Sequence, residues 1–383
     1  MAVDLVIVGA SIRAAAFSAL RGGFQPAGAD LFADQDLAAT CPVLVVEQKD
    51  YRQALRSWPG TDWIYTGALE NQPRLVGQMA TESPLLGNGQ EVLVRLGQPR
   101  EIWRTLTRAG LACPQVLLDP PAKLQGWLRK PIRSAGGIGI EPADRPVQPL
   151  GNKPVYYQQL VDGTAASALF LATPGKTELL GVTRQLVGRR FTAAGQYSYC
   201  GSIGPLELPI HLQSQVEAIG SELEGQFSLI GLFGVDLVID RQRAWFIEIN
   251  PRYCASAEII ERATDQSMVR LHVDACRKES PEPVPASLAE RWGKAILFAR
   301  QSLVIPDNFR SLIEMHDPDH NTWPLLADLP TAGQQISTGH PVLTVFARGH
   351  SLQEVETGLR DKVVQLERQL LPVHSPLATD PGR

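Results

Sequence analysis

Asp236, Glu248 and Asn250 are the side chains of this sequence best placed to do chemistry together. They lie in GLFGVDLVIDRQRAWFIEINPR, which runs from Gly231 to Arg252. Val235 to Ile239 and Ala244 to Ile249 are rich in β-branched and apolar residues, and the polar run Asp240-Arg241-Gln242-Arg243 reads as a hairpin connection. Side chains alternate faces along a strand, so Asp236 points with Val238, and Glu248 shares a face with Asn250 on the returning strand. In the natural register Asp236 approaches Glu248. Two carboxylates among apolar neighbours repel each other and lose hydration unless a cation neutralises them. Magnesium, or manganese in its place, takes hard oxygen ligands, commonly one or two carboxylates together with the phosphates of a nucleotide. Asp236, Glu248 and Asn250 are therefore the expected metal ligands, with Arg252 in reach of a phosphoryl oxygen. The competing reading is a strand pair whose rim carboxylates pair with Arg241 or Arg243.

A second element precedes the hairpin by about a hundred residues, within the usual size of one domain. It is WLRKPIRSAGGIGI, from Trp127 to Ile140. Lys130 supplies a fixed positive charge, and the small residues of Ser134-Ala135-Gly136-Gly137-Ile138-Gly139 let backbone N–H groups approach phosphate oxygens. The spacings GxxxxGK[ST] and GxGxxG are absent here, so this is neither a P-loop nor a dinucleotide fingerprint. A plain hairpin turn is the alternative. Between the two elements lies VYYQQLVDGTAASALFL, Val155 to Leu171, where Asp162-Gly163 turns the chain after a strand. A strand edge ending in a turn offers one backbone acceptor and one donor to a purine, or is an ordinary strand-turn-strand.

In this order, a lysine with a glycine-rich loop, the QQLVDG segment and the D-x11-E-x-N-x-R hairpin, the chain resembles the ATP-grasp superfamily. The resemblance implies an α/β protein of α+β lobes: a Rossmann-like domain preceding the ATP-grasp core, a two-lobed core, and a small β-rich C-terminal lobe like that of biotin-carboxylase-like members. It implies ATP between the lobes, held by Lys130, by Ser134, Ala135, Gly136 and Gly137, and by the hinge Gln158, Gln159, Leu160 and Val161. Magnesium would sit on Asp236, Glu248 and Asn250. Lys130, Arg252 and, from its position in the family, Arg184 would carry the transferring phosphoryl group. Two departures stand out: the second hinge position is often Glu and here is Gln159, and only Arg95 or Arg100 stands where many members carry a basic residue before the core's first helix. The implied reaction is activation of a carboxylate as acyl phosphate for attack by an amine. The overall look is similar to uncharacterised members from bacteria with tetrahydromethanopterin-type C1 metabolism, to which the tyramine–glutamate ligase of methanofuran synthesis is related, and this resemblance implies a glutamate or other amino-acid ligase in C1-cofactor synthesis. The alternative is a non-catalytic nucleotide-binding or regulatory ATP-grasp protein.

Positioning these groups takes several elements. DLVIVGASIRAAAFSALRGGFQPAGADLFA, Asp4 to Ala33, alternates a buried strand, an Ala-rich helix and a second strand. Its Gly9 to Arg13 turn is a degenerate dinucleotide turn, so an NAD(P)-binding Rossmann enzyme is a further rival. Strands at Val43 to Glu47 and Trp63 to Gly67 extend this domain over residues 1–90. An amphipathic helix over residues 98–110 opens the core at 91–280, within which 124–185 is the expected flexible nucleotide-binding lobe. Residues 281–374 are read as the C-terminal lobe, with β-type stretches at Trp292 to Val304 and Ile336 to Ala347. A helix from Ser351 to Leu370 carries apolar residues at helical spacing, to pack on that lobe or to form a homodimer interface. Residues 375–383 read as a disordered tail.

Composition fits a multidomain enzyme acting on small molecules. At 383 residues and 44% hydrophobic content the chain can bury more than one core. A net charge of −4 without a dense Lys/Arg run argues against nucleic acid as partner. No apolar stretch reaches the roughly 18 residues of a membrane span, and no leader pattern opens the chain, so the expected location is the cytoplasm. The five cysteines are scattered without CxxC spacing, which indicates neither a disulfide framework nor a zinc site.

Overall fold

The computed structural model describes residues 2–145, 154–286, 288–317 and 323–370. The tail expected at 375–383 and the last residues of the expected C-terminal lobe lie outside the described residues.

Leu5–Val8 is wholly apolar and fully buried, as a strand covered on both faces must be. It lies inside a four-stranded parallel sheet, in the order Val43–Val45, Pro26–Asp30, Leu5–Val8, Trp63–Tyr65. Parallel neighbours need a crossover, and the helix Arg13–Arg21 provides the first one. The turn that leads into it is closed. The Ile12 N–H donates to Asp30 Oδ2 at 2.7 Å, the other oxygen of Asp30 accepts from the N–H groups of Phe32 and Ala33, and a Cβ on Gly9 would fall 1.9 Å from Thr66 Oγ1. Arg13 is buried, its guanidinium forked onto Glu258 at 2.5 and 3.2 Å and reaching Asp328 at 2.8 Å. Strand-end acid and the N–H of the helix's cap residue thus satisfy each other.

Pairing assigns the remaining strands to two main sheets and one two-strand pair, Leu303–Val304 with Gln335–Ile336. The larger has eight, in the order Ala244–Asn250, Gly231–Ile239, Thr164–Thr173, Lys176–Val187, Tyr199–Gly204, Arg291–Phe298, Pro341–Gly349, Leu326–Ala327. The smaller is the antiparallel set Val116–Leu117, Val155–Gln159, Trp127–Pro131, Glu141–Pro142. Two expected limits therefore shift. The small lobe's sheet ends at Gln159, because Thr164–Val187 pairs into the large sheet, and the strands beyond residue 281 extend that same sheet through Tyr199–Gly204. The amphipathic helix expected at 98–110 forms at Pro99–Arg108, with Pro99 in its first turn and Gly110, at φ +73°, just past its end.

The core under the site is held by the helix Ile210–Phe227, which lays Val216, Ile219, Leu223 and Phe227 on the large sheet. Phe170 and Phe233 stack there with ring centres 5.0 Å apart. Gly220 is required where the helix crosses Phe170, since a Cβ would meet that ring at 2.4 Å. The last helix, Leu352–Leu370, buries Val355, Leu359, Val363, Leu366 and Leu370 against the C-terminal strands. Full burial of each stabilises by about 1.5–3 kcal/mol. Its apolar face is thus used within the chain, and of the two expected roles for this helix the intramolecular one is the one observed.

His272 joins the parallel-sheet domain to the core. Its Nδ1 accepts from the Leu232 N–H at 2.8 Å, so the proton is on Nε2, which donates to the Leu86 carbonyl at 3.0 Å. Burial pushes its pKa down to about 4. Near its ordinary value of about 6.5, the unfolded chain takes up a proton that the folded chain refuses, so the stability tied to this group is complete above that pH and drains away as pH falls toward 4. The expected size is about 3 kcal/mol at the acid end. Urea midpoints measured from pH 7 to pH 4 should fall more steeply for the wild type than for His272→Gln.

Candidate active site

The hairpin forms as its sequence dictates, and its register puts Asp236 directly across from Glu248, with an irregularity between Asp236 and Leu237. Neighbouring strands complete the floor. Ser167 stands opposite Asp236 on one side and opposite Thr183 on the other. Since side chains alternate, Gln185 shares the face of Thr183 and Arg184 points away. Gln185 Nε2 donates to Asp236 Oδ1 at 2.9 Å, and Asn250 Nδ2 donates to Oδ2 at 3.3 Å. Asn250 Oδ1 accepts from Arg252 Nη2 at 2.9 Å, so the amide is turned by its neighbours on both sides. Neither Arg241 nor Arg243 takes the carboxylates.

Lys130 comes from the strand Trp127–Pro131 of the small lobe and is buried. Its Nζ donates to Gln158 Oε1 at 3.1 Å and stands 4.0 Å from Glu248 Oε2. Gln158 donates through Nε2 to the Ile247 carbonyl at 3.2 Å, tying small lobe to hairpin. Around this group the glycine loop keeps the shape its composition allows. Gly136, Gly137 and Gly139 all have positive φ, and a Cβ on Gly137 would fall 2.0 Å from the Tyr197 carbonyl oxygen. Ile138, at the loop's tip, is 73% exposed. In the hinge, the Gln159 and Leu160 N–H groups donate to the carbonyls of Gln115 and Gly126, whereas the Val161 N–H has no such partner among the described residues.

Electrostatics follow from burial. Desolvation raises the carboxyl of Asp236, against the pull of Ser167, Asn250, Arg252 and Lys130. Glu248 is raised for the same reason, with Lys130 pulling the other way and Asp236 adding repulsion; 44% of its side chain is reached by solvent, which tempers the effect. Burial disfavours the charge on Lys130, yet Tyr156, Glu248 and Asp236 outweigh it and hold the ammonium above its ordinary range. Arg252 is likewise held up, against burial, by Glu70 at 2.6 Å. Two carboxylates that resist ionisation would be relieved by one more positive charge between them. Among the described residues no group of three or more His, Cys, Asp or Glu forms a cation cage. The set of two carboxylates and an amide oxygen fits magnesium, which draws its other ligands from phosphates and water.

One cavity of about 330 Å³ gathers these parts: Lys130 and the loop residues Ala135 to Gly137 on one wall, Gln158 to Val161 at the hinge, and Asp236, Glu248, Asn250 and Arg252 on the floor. Ser134 does not line it and instead bonds within its own loop, through Oγ to the Ile138 carbonyl. Residues 100–256 match the family described as ATP-grasp domain. The chain carries an ATP-grasp domain. Its fold is that of solved ATP-grasp proteins. It aligns with the L-amino acid ligase from Bacillus licheniformis at TM-score 0.68, 15% identity, over 95% of this chain and 97% of that one. It aligns with N5-carboxyaminoimidazole synthetase from Staphylococcus aureus, complexed with ADP, at TM-score 0.72, 14% identity, over 95% and 98%. By sequence it is 22% identical over 299 residues to an uncharacterized protein of Methanocaldococcus jannaschii, 74% of this chain and 69% of that protein.

The geometry of the ATP-grasp domain corrects one expectation. Arg184 lies outside the cleft, its Nη2 paired at 2.6 Å with Glu356 of the terminal helix. Strand alternation, with the register Thr183–Ser167–Asp236, puts its neighbour Gln185 in the cleft instead; the register is the part the sequence does not show. Tyr199, Ser202, Cys254 and Ser256 also line the cavity. Burial raises the Cys254 thiol, and its Sγ contacts Ser256 Oγ at 3.1 Å, a packed rather than a reactive setting. Arg184→Ala should leave turnover within about twofold of wild type and cost about 1 kcal/mol or less of stability, since its ion pair is partly solvated. Steady-state rates and urea midpoints on the same preparation check both.

Proposed function

We propose that the chain is an ATP- and magnesium-dependent ligase that activates a carboxylate as its acyl phosphate for attack by an amine. The observation that carries this reading is the convergence of Lys130, Asp236, Glu248, Asn250 and Arg252 on one cleft, with a hinge donor at Val161 that has no partner among the described residues. In this reading the Val161 N–H and the Gln159 carbonyl take the adenine edge, one donor and one acceptor. Lys130 neutralises phosphate oxygens from the small lobe. Asp236, Glu248 and Asn250 would hold magnesium, which when bound offsets the charge of the phosphates. Gln185 keeps Asp236 oriented, while Asn250, whose Nδ2 donates to Asp236 and whose Oδ1 accepts from Arg252, would turn its oxygen to the cation on binding it. Arg252, fixed by Asn250 and Glu70, faces the oxygens of the transferring group. Closure of the loop carrying Ile138 shields the acyl phosphate from water. The cleft's inner end, lined by Ser167, Ser202, Ser256 and Tyr199, offers hydroxyl groups to the acid.

An amino acid such as glutamate is the acid we favour, in line with the fold likeness to an L-amino acid ligase. Its place in C1-cofactor synthesis rests on the sequence resemblance alone. Small-molecule acid and amine are then the partners. The test is ADP release across a panel of carboxylate and amine pairs. Acid-dependent turnover is expected, whereas nucleotide affinity without substrate-stimulated turnover would favour a regulatory protein.

A further inference from the structure

An open groove of about 740 Å³ lies against the hinge, between the helices Pro99–Arg108 and Ile210–Phe227 and the hairpin turn at Gln242 and Arg243. Neither Lys130 nor any carboxylate lines it, and Gln159 is the residue it shares with the nucleotide cleft. Two half-buried tryptophans, Trp103 and Trp245, form its aromatic surface. Trp245 is held in place: its indole N–H donates to Asp240 Oδ2 at 2.8 Å, and the Arg243 guanidinium stands 5.3 Å from its ring centre. Gln215 anchors the turn, accepting from the Ala244 N–H at 3.0 Å and donating to the Gln242 carbonyl at 2.9 Å. The side-chain amides of Gln115, Gln159 and Gln242 are different. All three residues are exposed, and among the described residues these amides bond to nothing. A fixed aromatic plate beside accessible, unspent amides is the equipment for holding a flat ring by its face and reading it by its edge.

We propose that this groove is a second binding site, separate from the cleft, for a purine base borne by a nucleoside or nucleotide. The base stacks on the tryptophans, as bases do on aromatic side chains. An amide offers one donor and one acceptor in a plane, the pair that matches a purine edge, and three such amides stand free here. Arg243 supplies the positive charge for a phosphate where the ligand carries one. A cationic ligand would find no carboxylate among the lining residues. A sugar would also stack, but its many O–H donors would find no anionic acceptor: Asp240, the acid nearest in sequence, is taken by Trp245 and by the N–H groups of Gln242 and Arg243. The volume is that of a small-molecule site. Its place matters because the Gln159 N–H donates to the Gln115 carbonyl at 3.0 Å, so two of the three reading amides belong to the backbone contact that sets the hinge.

The test counts labelled ligand per chain by equilibrium dialysis of the full chain, with adenosine, guanosine, their 5′-monophosphates and glucose added over magnesium–ADP, and with magnesium–ADP alone. Wild type should hold one purine ligand beyond the one in the cleft, at least tenfold more tightly than glucose. Where ADP itself fills the groove, magnesium–ADP alone should bind at two per chain. The nucleoside and monophosphate arms tell whether phosphate is part of what is recognised. Trp245→Leu should lose the additional molecule and keep its cleft affinity for magnesium–ADP within about twofold, since Trp245 does not line the cleft. If that variant does not fold, Trp103→Ala is read in the same way. Equal counts in wild type and variant for every ligand, or glucose bound as tightly as the best purine, overturns the site.

Discussion

Glu248→Gln is expected to stop ATP turnover, by about a thousandfold or more, in a protein that folds as well as the wild type. The carboxylate stands opposite Asp236 and 4.0 Å from Lys130, where its charge would complete the balance between lysine and cation. The amide keeps the volume and one oxygen but removes the charge that would hold magnesium against the phosphates, a loss that takes away stabilisation where charge develops. Folding should suffer little. Glu248 is 44% solvent-reachable, and burial already works against its ionised form, so the neutral side chain costs about 1 kcal/mol or less. Initial rates of ADP formation with the best acid of the panel, paired with circular dichroism and a urea midpoint, check the two halves. A Glu248→Gln protein that turns over ATP at the wild-type rate would remove the hairpin from the chemistry.

Lys130→Ala has the second largest expected effect, and its character differs. Here nucleotide affinity should fall together with the rate, because in the proposed reading the ammonium would meet phosphate oxygens in the ground state as well as in the transition state. A drop of roughly 10²- to 10³-fold in kcat/KM is expected, the size associated with losing one charge-stabilising donor. The variant should still fold, although less stably by about 1–3 kcal/mol, since the side chain is buried and its removal leaves Gln158 Oε1 without its donor. Titration with magnesium–ADP separates the two contributions: weaker ADP binding is expected for Lys130→Ala, while Glu248→Gln should bind ADP much less magnesium-dependently than the wild type.

Much of this was legible in the sequence, and for identifiable reasons. The hairpin could be read because β-branched runs flank a polar four-residue connection, and alternation fixes which residues share a face; the observed Asp236–Glu248 register follows from that. The glycine loop's backbone could be read because positive φ and close approach are demands only small residues meet, as Gly137 against Tyr197 illustrates. Arg184 is expected in the cleft from its position in the family; alternation sets it on the face opposite Gln185, but which of the two faces Asp236 depends on strand pairing through Ser167, a long-range choice. Glu70 was illegible: it arrives from the parallel-sheet domain, 182 residues before its partner Arg252, and nothing local marks it. The limits of the lobes were blurred for a similar reason. Strand pairing between Tyr199–Gly204 and Arg291–Phe298 is a long-range choice that composition does not announce. The buried Arg13–Glu258 pair was equally hidden, since it looked like part of a degenerate nucleotide turn until its partner, from another domain, was in view.

The most direct test follows the oxygen. An acid from the panel that stimulates ADP release is prepared with ¹⁸O in its carboxylate and incubated with the chain, ATP, magnesium and amine, and the released phosphate is examined by mass spectrometry. Activation as an acyl phosphate transfers one carboxylate oxygen to phosphorus, so the account predicts phosphate bearing one ¹⁸O in amount equal to the amide formed. Unlabelled phosphate, or ADP release that no acid in the panel stimulates, would contradict it.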